Sequence, residues 1–255
     1  MSSSVYTYDQ AWEHERQRLA GLEALWDPGT EALLAEAGAI GGAVLEAGAG
    51  GGSIVSWLAS RARRVLAVDL DTRFVEPLAS DVVEVRTADL VTDELPSAEF
   101  DVVHARLVLE HLNDRDAVLD KLVAALRPGG VLVVEDYDWT AFGVESADGA
   151  EERVAEGILA FMGNAGFDRT YGRKVVGALA EHGLAHVHGD ARALVIDAQH
   201  PGYAFFQLSL QQLAPAAVGA GLMTQSDADL AAARFAEGTR RIITPALVAA
   251  IGTKP

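Results

Sequence analysis

The sequence predicts an open α/β fold: a sheet of seven short buried strands, covered by helices and carrying a ligand crevice along one edge. Three observations predict it. Apolar runs of four to six residues alternate with segments of helical period. The first run breaks at once into a glycine-rich stretch, 43–53, AVLEAGAGGGS. Finally, acids recur just past the ends of successive runs, at Glu46, Asp69, Asp89 and Asp136.

Each element follows in order. Asp9 is positioned to cap a helix carrying Trp12, Arg16, Leu19, Leu22 and Trp26, an apolar stripe at helical spacing. Pro28-Gly29-Thr30 then begins a second short helix that stops at Gly38. Strand one ends at Glu46, and Gly48, Gly50, Gly51 and Gly52 follow, residues that permit a tight turn and close approach of a ligand to the backbone. Strand two, 64–68, ends in Asp69, seventeen residues after Gly52, which leaves room for one short helix and a parallel return. Runs at 82–85 and 100–103 give strands three and four. A helix stopped by Arg127-Pro128-Gly129-Gly130 leads into strand five, VLVVEDYDW. Helices follow over 147–162 and 172–182, a long sixth strand over 185–196, helices over 202–218 and 226–236, and a seventh strand over 244–251. The roughly forty residues between strands six and seven exceed a common connection and suggest a substrate lid or a dimer surface.

The glycine spacing points to a nucleoside-bearing cofactor and away from a dinucleotide. A dinucleotide fingerprint wants glycine at positions one, three and six, and the sixth residue from Gly48 is Ser53. Asp69, at the carboxyl end of its strand, suits bidentate acceptance from two ribose hydroxyls. Glu46, Gly48, Gly50 and Gly52 instead form an acid-x-Gly-x-Gly-x-Gly pattern. In this pattern, and in the ordered segments FDVVHARLVLEHL and LRPGGVLVVEDYDW, the chain resembles the class I S-adenosylmethionine (SAM) dependent methyltransferases. The resemblance covers nearly the whole chain and is strongest over 44–138.

The resemblance implies a Rossmann-like, mostly parallel sheet with strand seven antiparallel, in a single domain over 1–255. Within it, 1–40 form a helical cover, 41–140 the SAM-binding core, and 141–183 and 198–240 helical substrate-cap inserts. It implies that Glu46, Gly48, Ala49, Gly50, Asp69, Leu70, Asp89, Leu90 and Arg106 bind SAM, with S-adenosylhomocysteine as product. Asp89 is the candidate for the adenine amino group, and Asp71 is an understudy to Asp69. Arg106, or Arg16 or Arg18 from the leading helix, is a candidate for the methionine carboxylate, because a guanidinium meets a carboxylate bidentately. His111 is the first choice of general base, ahead of His104 and His200, with Asp136 and Asp138 behind them, or else it is a helix-terminal histidine bonded to a backbone carbonyl. Tyr137 and Trp139 are expected to line a pocket for an aromatic or cationic small-molecule acceptor, or else to anchor the following helices; Tyr203, Phe205 and Phe206 admit pocket, core or dimer roles.

Composition narrows the partners. A net charge of −17 opposes the phosphate attraction behind nucleic-acid binding. No apolar run reaches membrane-spanning length, and the first residues, MSSSVYTYDQ, lack the pattern of a signal peptide, so a cytoplasmic protein is expected. With no cysteine there is no disulfide and no thiolate site, and no metal set is expected from the histidines. A homodimer through the late helical insert, rich in Phe, Leu and Ala, is the expected assembly. The reading is methyl transfer to O, N or C of a small molecule of natural-product type. Its alternatives are a SAM-fold enzyme of rearrangement or cyclisation, a nicotinamide-dependent oxidoreductase, and a non-enzymatic binding protein.

Overall fold

A computed structural model describes residues 7–9, 11–146 and 148–255. The central sheet is built from β1 (Ala43–Ala47), β2 (Arg64–Asp69), β3 (Val83–Thr87), β4 (Phe100–Arg106), β5 (Leu126–Asp138), β7 (Ala185–Arg192) and β10 (Ala246–Thr253), in the order β3-β2-β1-β4-β5-β10-β7. β10 runs antiparallel to both neighbours, and the pairs from β3 to β5 are parallel. This is the class I methyltransferase arrangement expected from the sequence. The order reverses between β1 and β4, so the crevice opens beside the glycine stretch after β1.

Strands covered on both faces read as continuous apolar runs, and alternate residues divide between two cores. Val44, Val65, Val102 and Val133 meet α2 (Ser53–Ala59) and the end of α1 (Glu15–Glu36). Leu45, Leu66, Val103 and Leu132 face α3 (Arg115–Ala125) and α5 (Val175–Glu181). A third cluster lies past the strand ends, where α1 packs with α4 (Ala150–Gly163), α6 (Tyr203–Gly219) and α7 (Gln225–Ala236) through Trp26, Val154, Phe205, Phe206 and Phe235. This helical layer roofs the crevice. α5 belongs to the sheet and not to the layer, since Val175 and Leu179 lie in the sheet core.

Three expectations are corrected. The two leading helices are one: α1 runs straight through Pro28. Proline forfeits one helical hydrogen bond there, but tertiary contacts hold both sides of it. Trp26 Nε1 donates to Tyr137 Oη at 2.6 Å, and Thr30 Oγ1 to Glu135 Oε2 at 2.6 Å. Asp9 is not the helix cap; it accepts from Ala11 N in a local turn, and α1 begins after His14. The long sixth strand divides, because the chain leaves the sheet after Arg192. Its tail, β8 (Val195–Ile196), pairs with β9 (Ile242–Ile243), which also pairs with β6 (Gly143–Val144) in a separate three-stranded sheet. The expected helix over 147–162 begins at Ala150, and Ala147 itself lies outside the described residues.

Candidate active site

The glycine loop depends on conformations a side chain resists. Gly48, Gly50 and Gly52 have φ of +79°, +52° and +85°. A Cβ on Gly48 would stand 2.3 Å from Val108 Cγ2, and one on Gly51 would stand 2.1 Å from Glu23 Oε1. The loop is tied to the next strand, as Gly48 N and Ala49 N both donate to the carbonyl of Val68.

Asp69 reaches this loop from the end of β2. Its Oδ2 accepts from Gly50 N at 2.8 Å and its Oδ1 from Asp71 N at 3.0 Å. Burial raises its pKa, and the amide bonds partly offset that. The next residue, Leu70, is 43% exposed, an apolar platform on the crevice wall. Asp89 and Leu90 form the wall beyond β3. Asp89 Oδ1 accepts from Val91 N at 2.8 Å in a tight turn, and its other oxygen makes no bond within that turn. Asp71, the understudy, is ion-paired with Arg73.

Below the crevice lies a chain of buried charges. Glu46 Oε2 is 2.7 Å from His104 Nδ1, and His104 Nε2 is 3.2 Å from Glu135 Oε2. Glu135 also meets Thr30 and Arg192. Burial, the largest single influence on His104, disfavours its charge. Glu46 and Glu135 together outweigh burial and raise its pKa to about 9, so the imidazolium is the neutral-pH form. Arg106 lines the crevice, yet its guanidinium donates to Asp27 Oδ1 at 2.8 Å and Thr30 Oγ1 at 2.9 Å. It thereby joins the buried chain to α1.

The opposite end of the crevice is built from residues distant in sequence. Arg18 on α1 holds Glu15 through two bonds of 2.8 and 2.7 Å and stacks over the Tyr8 ring at 4.0 Å. Trp139 and Tyr137 pack edge to face, 5.5 Å apart. Phe167 lies 5.0 Å from His111, and Phe205 descends from α6. Burial lowers the His111 pKa to about 3, with Arg18 adding to the effect. Glu110 takes the opposite shift: burial, reinforced by Asp136, raises its pKa well above the ordinary glutamate value, and it accepts from Tyr137 N at 2.8 Å. The His111 ring is therefore neutral near pH 7.

Of the three histidine candidates, the crevice is lined only by His111. His104 is in the buried chain, and His200 accepts from Gly202 N in a turn before α6. Asp138 is held by Arg173, and Asp136 lies behind Glu110. Sequence reasoning missed Tyr8, Glu15, Glu110 and Phe167 as crevice residues. Only Glu110, beside His111 in the motif LEHL, carried a signal that could have found it. The late insert's aromatic residues are buried against α1, α4 and α7, so they no longer argue for a dimer surface. Among the described residues no three His, Asp or Glu side chains form a metal-holding group, and no helix is long and apolar enough to cross a membrane.

Residues 45–134 match a methyltransferase-domain family. Methyltransferase str2 of Strobilurus tenacellus is 34% identical over 153 residues, covering 57% of this chain and 54% of that protein. A probable S-adenosylmethionine-dependent methyltransferase of Mycobacterium tuberculosis is 41% identical over 93 residues, 36% of this chain and 34% of that protein. The matches span between 34% and 62% of the length of the curated relatives. In structure, the YcgJ protein of Bacillus subtilis superposes with a TM-score of 0.59 at 13% identity, covering 89% of this chain and 98% of that one. By motif and by fold the chain is similar to the class I SAM-dependent methyltransferases, and residues 45–134 match a methyltransferase-domain family.

Proposed function

We propose that the protein transfers the methyl group of SAM to an uncharged small-molecule acceptor of natural-product type. The observation that carries this reading is the meeting, in one crevice, of the glycine loop and Asp69 with a wall of aromatic side chains. The crevice's donors and acceptors suit SAM, which carries an adenosine and an amino acid but no phosphate. Gly48 to Gly51 bring backbone close to the ligand, and Asp69 supplies a carboxylate for the ribose. Leu70 and Leu90 offer apolar surface to the adenine, with Asp89 at its edge. When bound, SAM supplies an electrophilic methyl on a sulfonium.

The chain's own contribution is positioning and exclusion of water. Arg106 is engaged by Asp27 and Thr30, so we assign it to holding α1 against the strand ends, and through them the crevice wall. His111 is too weak a base at a pKa of about 3 to take a proton effectively near pH 7; we give it a hydrogen-bonding role at the acceptor end. The reading suits an acceptor that needs little help from a base.

Calorimetric titration with SAM and S-adenosylhomocysteine, with NADH as comparison, tests it. Expected is selective binding of the first two, weakened roughly ten- to a hundredfold in Asp69→Ala, as for loss of hydrogen bonds to a charged group. Equal affinity in a folded Asp69→Ala, or preference for NADH, would overturn the assignment.

A further inference from the structure

Beside the crevice lies a second chamber, enclosed by α4, α6 and the segment from Trp139 to Val144. Four side chains line both spaces: Tyr8, Trp139, Met162 and Phe205. The chamber beyond them is apolar, walled by Val154, Ile158 and Leu159 from α4 and by Phe206 and Leu210 from α6. Its one carboxylate, Glu151, is held by Arg234, Arg240 and Ser146. Charge at the crevice end is balanced too, since Arg18 and Glu15 pair there.

Trp139 stands at the junction. Its indole Nε1 is buried and has no hydrogen-bond partner among the described residues. Buried polar groups are normally satisfied, so an unmet donor at the edge of a ligand space calls for an acceptor atom from the ligand. Met162, unbranched and flexible, is the partition residue most able to adapt to an occupant.

We propose that this chamber is a tail subsite of the acceptor pocket: it takes an uncharged alkyl or aryl extension of several carbons, and Trp139 Nε1 donates to an oxygen where that extension leaves the methyl-accepting end. The proposal rests on the methyl-transfer reading for the identity of the reacting end, but not for the occupancy of the chamber. It selects amphiphilic acceptors, such as phenols or enols whose tail is joined through an oxygen, over small amino acids and cationic amines. Specificity then comes from apolar area buried in the chamber, while the oxygen fixes register.

The test uses 4-methoxyphenol, 4-butoxyphenol and 4-hexyloxyphenol as probes, each with an ether oxygen where the tail leaves the ring, titrated into the full chain with and without S-adenosylhomocysteine. In the wild type, affinity should rise roughly three- to fourfold for each methylene buried. Ala155→Phe and Ile158→Trp, which fill the chamber from α4, should flatten that dependence while S-adenosylhomocysteine affinity stays unchanged; either variant suffices if the other fails to fold. Trp139→Phe should weaken the whole series about fivefold. Affinity independent of tail length in the wild type, or an undiminished dependence in a folded filled variant, would overturn the tail subsite. An unaltered series in Trp139→Phe would overturn the donor assignment. Absence of S-adenosylhomocysteine binding would instead sink the methyl-transfer reading, and the phenol series alone would still judge the chamber.

Discussion

The two ends of the crevice are made in different ways. At the β1 and β2 end the surface is backbone: glycines at positive φ, amides, and a carboxylate at a fixed place after a strand. At the β4 and β5 end it is side chain, assembled from Tyr8, Arg18, Glu110, Trp139, Phe167 and Phe205 on six separate segments. The first end is strained and specified by spacing, whereas the second is packed and specified by which helices meet. Substitutions should therefore fail differently at the two ends, the first through geometry and the second through volume and polarity. Between and beneath them runs the buried chain from Glu46 through His104 to Glu135, which supports both.

The largest effect is expected in that support. His104→Leu removes the one group that joins Glu46 to Glu135 and leaves two carboxylates buried without their shared cation. Breaking a buried ion pair in this way costs about 3–5 kcal/mol. Urea denaturation should show it, and a loss below about 1 kcal/mol would mean the chain of charges is not a support. The pH dependence sharpens the point. A histidine raised to about 9 from an unfolded value near 6.5 contributes stability that is fully present below pH 6.5. That contribution is lost as pH rises to 9, and amounts to about 3 kcal/mol across the window. The wild type should lose denaturation midpoint between pH 6.5 and 9 more steeply than His104→Leu. Equal slopes would show that His104 is not the titrating group.

Next in size is the backbone end. Gly48→Ala places a Cβ 2.3 Å from Val108 Cγ2 at a φ of +79°. Forcing a side chain into that conformation costs of order 1–3 kcal/mol. The loop or Val108 must shift, and both line the crevice, so cofactor affinity should fall at least tenfold in calorimetry while the circular dichroism spectrum stays native. If Gly48→Ala bound the cofactor normally, the loop would not be the geometric determinant that separates this end from the other.

The same contrast explains what was legible in the sequence. Buried parallel strands announce themselves as runs such as RVLAV, and their order along the chain fixed which acids fell on the crevice edge. Asp69 and the glycines were readable because backbone geometry restricts residue type. The acceptor end was not, because Phe167 and Tyr8 look like any core or surface aromatic until α1, α4 and α6 are brought together. Pro28 misled for a related reason: local propensity suggested a helix start, and Trp26, Asp27 and Thr30 held the helix continuous through contacts more than seventy residues away. The tail of the sixth strand looked continuous because Val195 and Ile196 extend an apolar run, although they pair with β9 and not with β10.

The smallest effect is expected at His111, the sequence's first candidate for a general base. Were it the general base, His111→Ala would lower turnover by a factor of about a hundred or more and abolish a titration near neutrality. Its burial argues otherwise. With a pKa of about 3 the ring is neutral across the physiological range, and it packs against Phe167 as part of the aromatic wall. Expected for His111→Ala, measured with any acceptor that turns over, is a fall in kcat of less than tenfold. KM should rise by a comparable factor, and the pH–rate profile between pH 6 and 9 should keep its shape. A change in that profile would mean that the bound complex moves the His111 pKa back toward neutrality. The acceptor end would then be a proton-transfer site as well as a packed one.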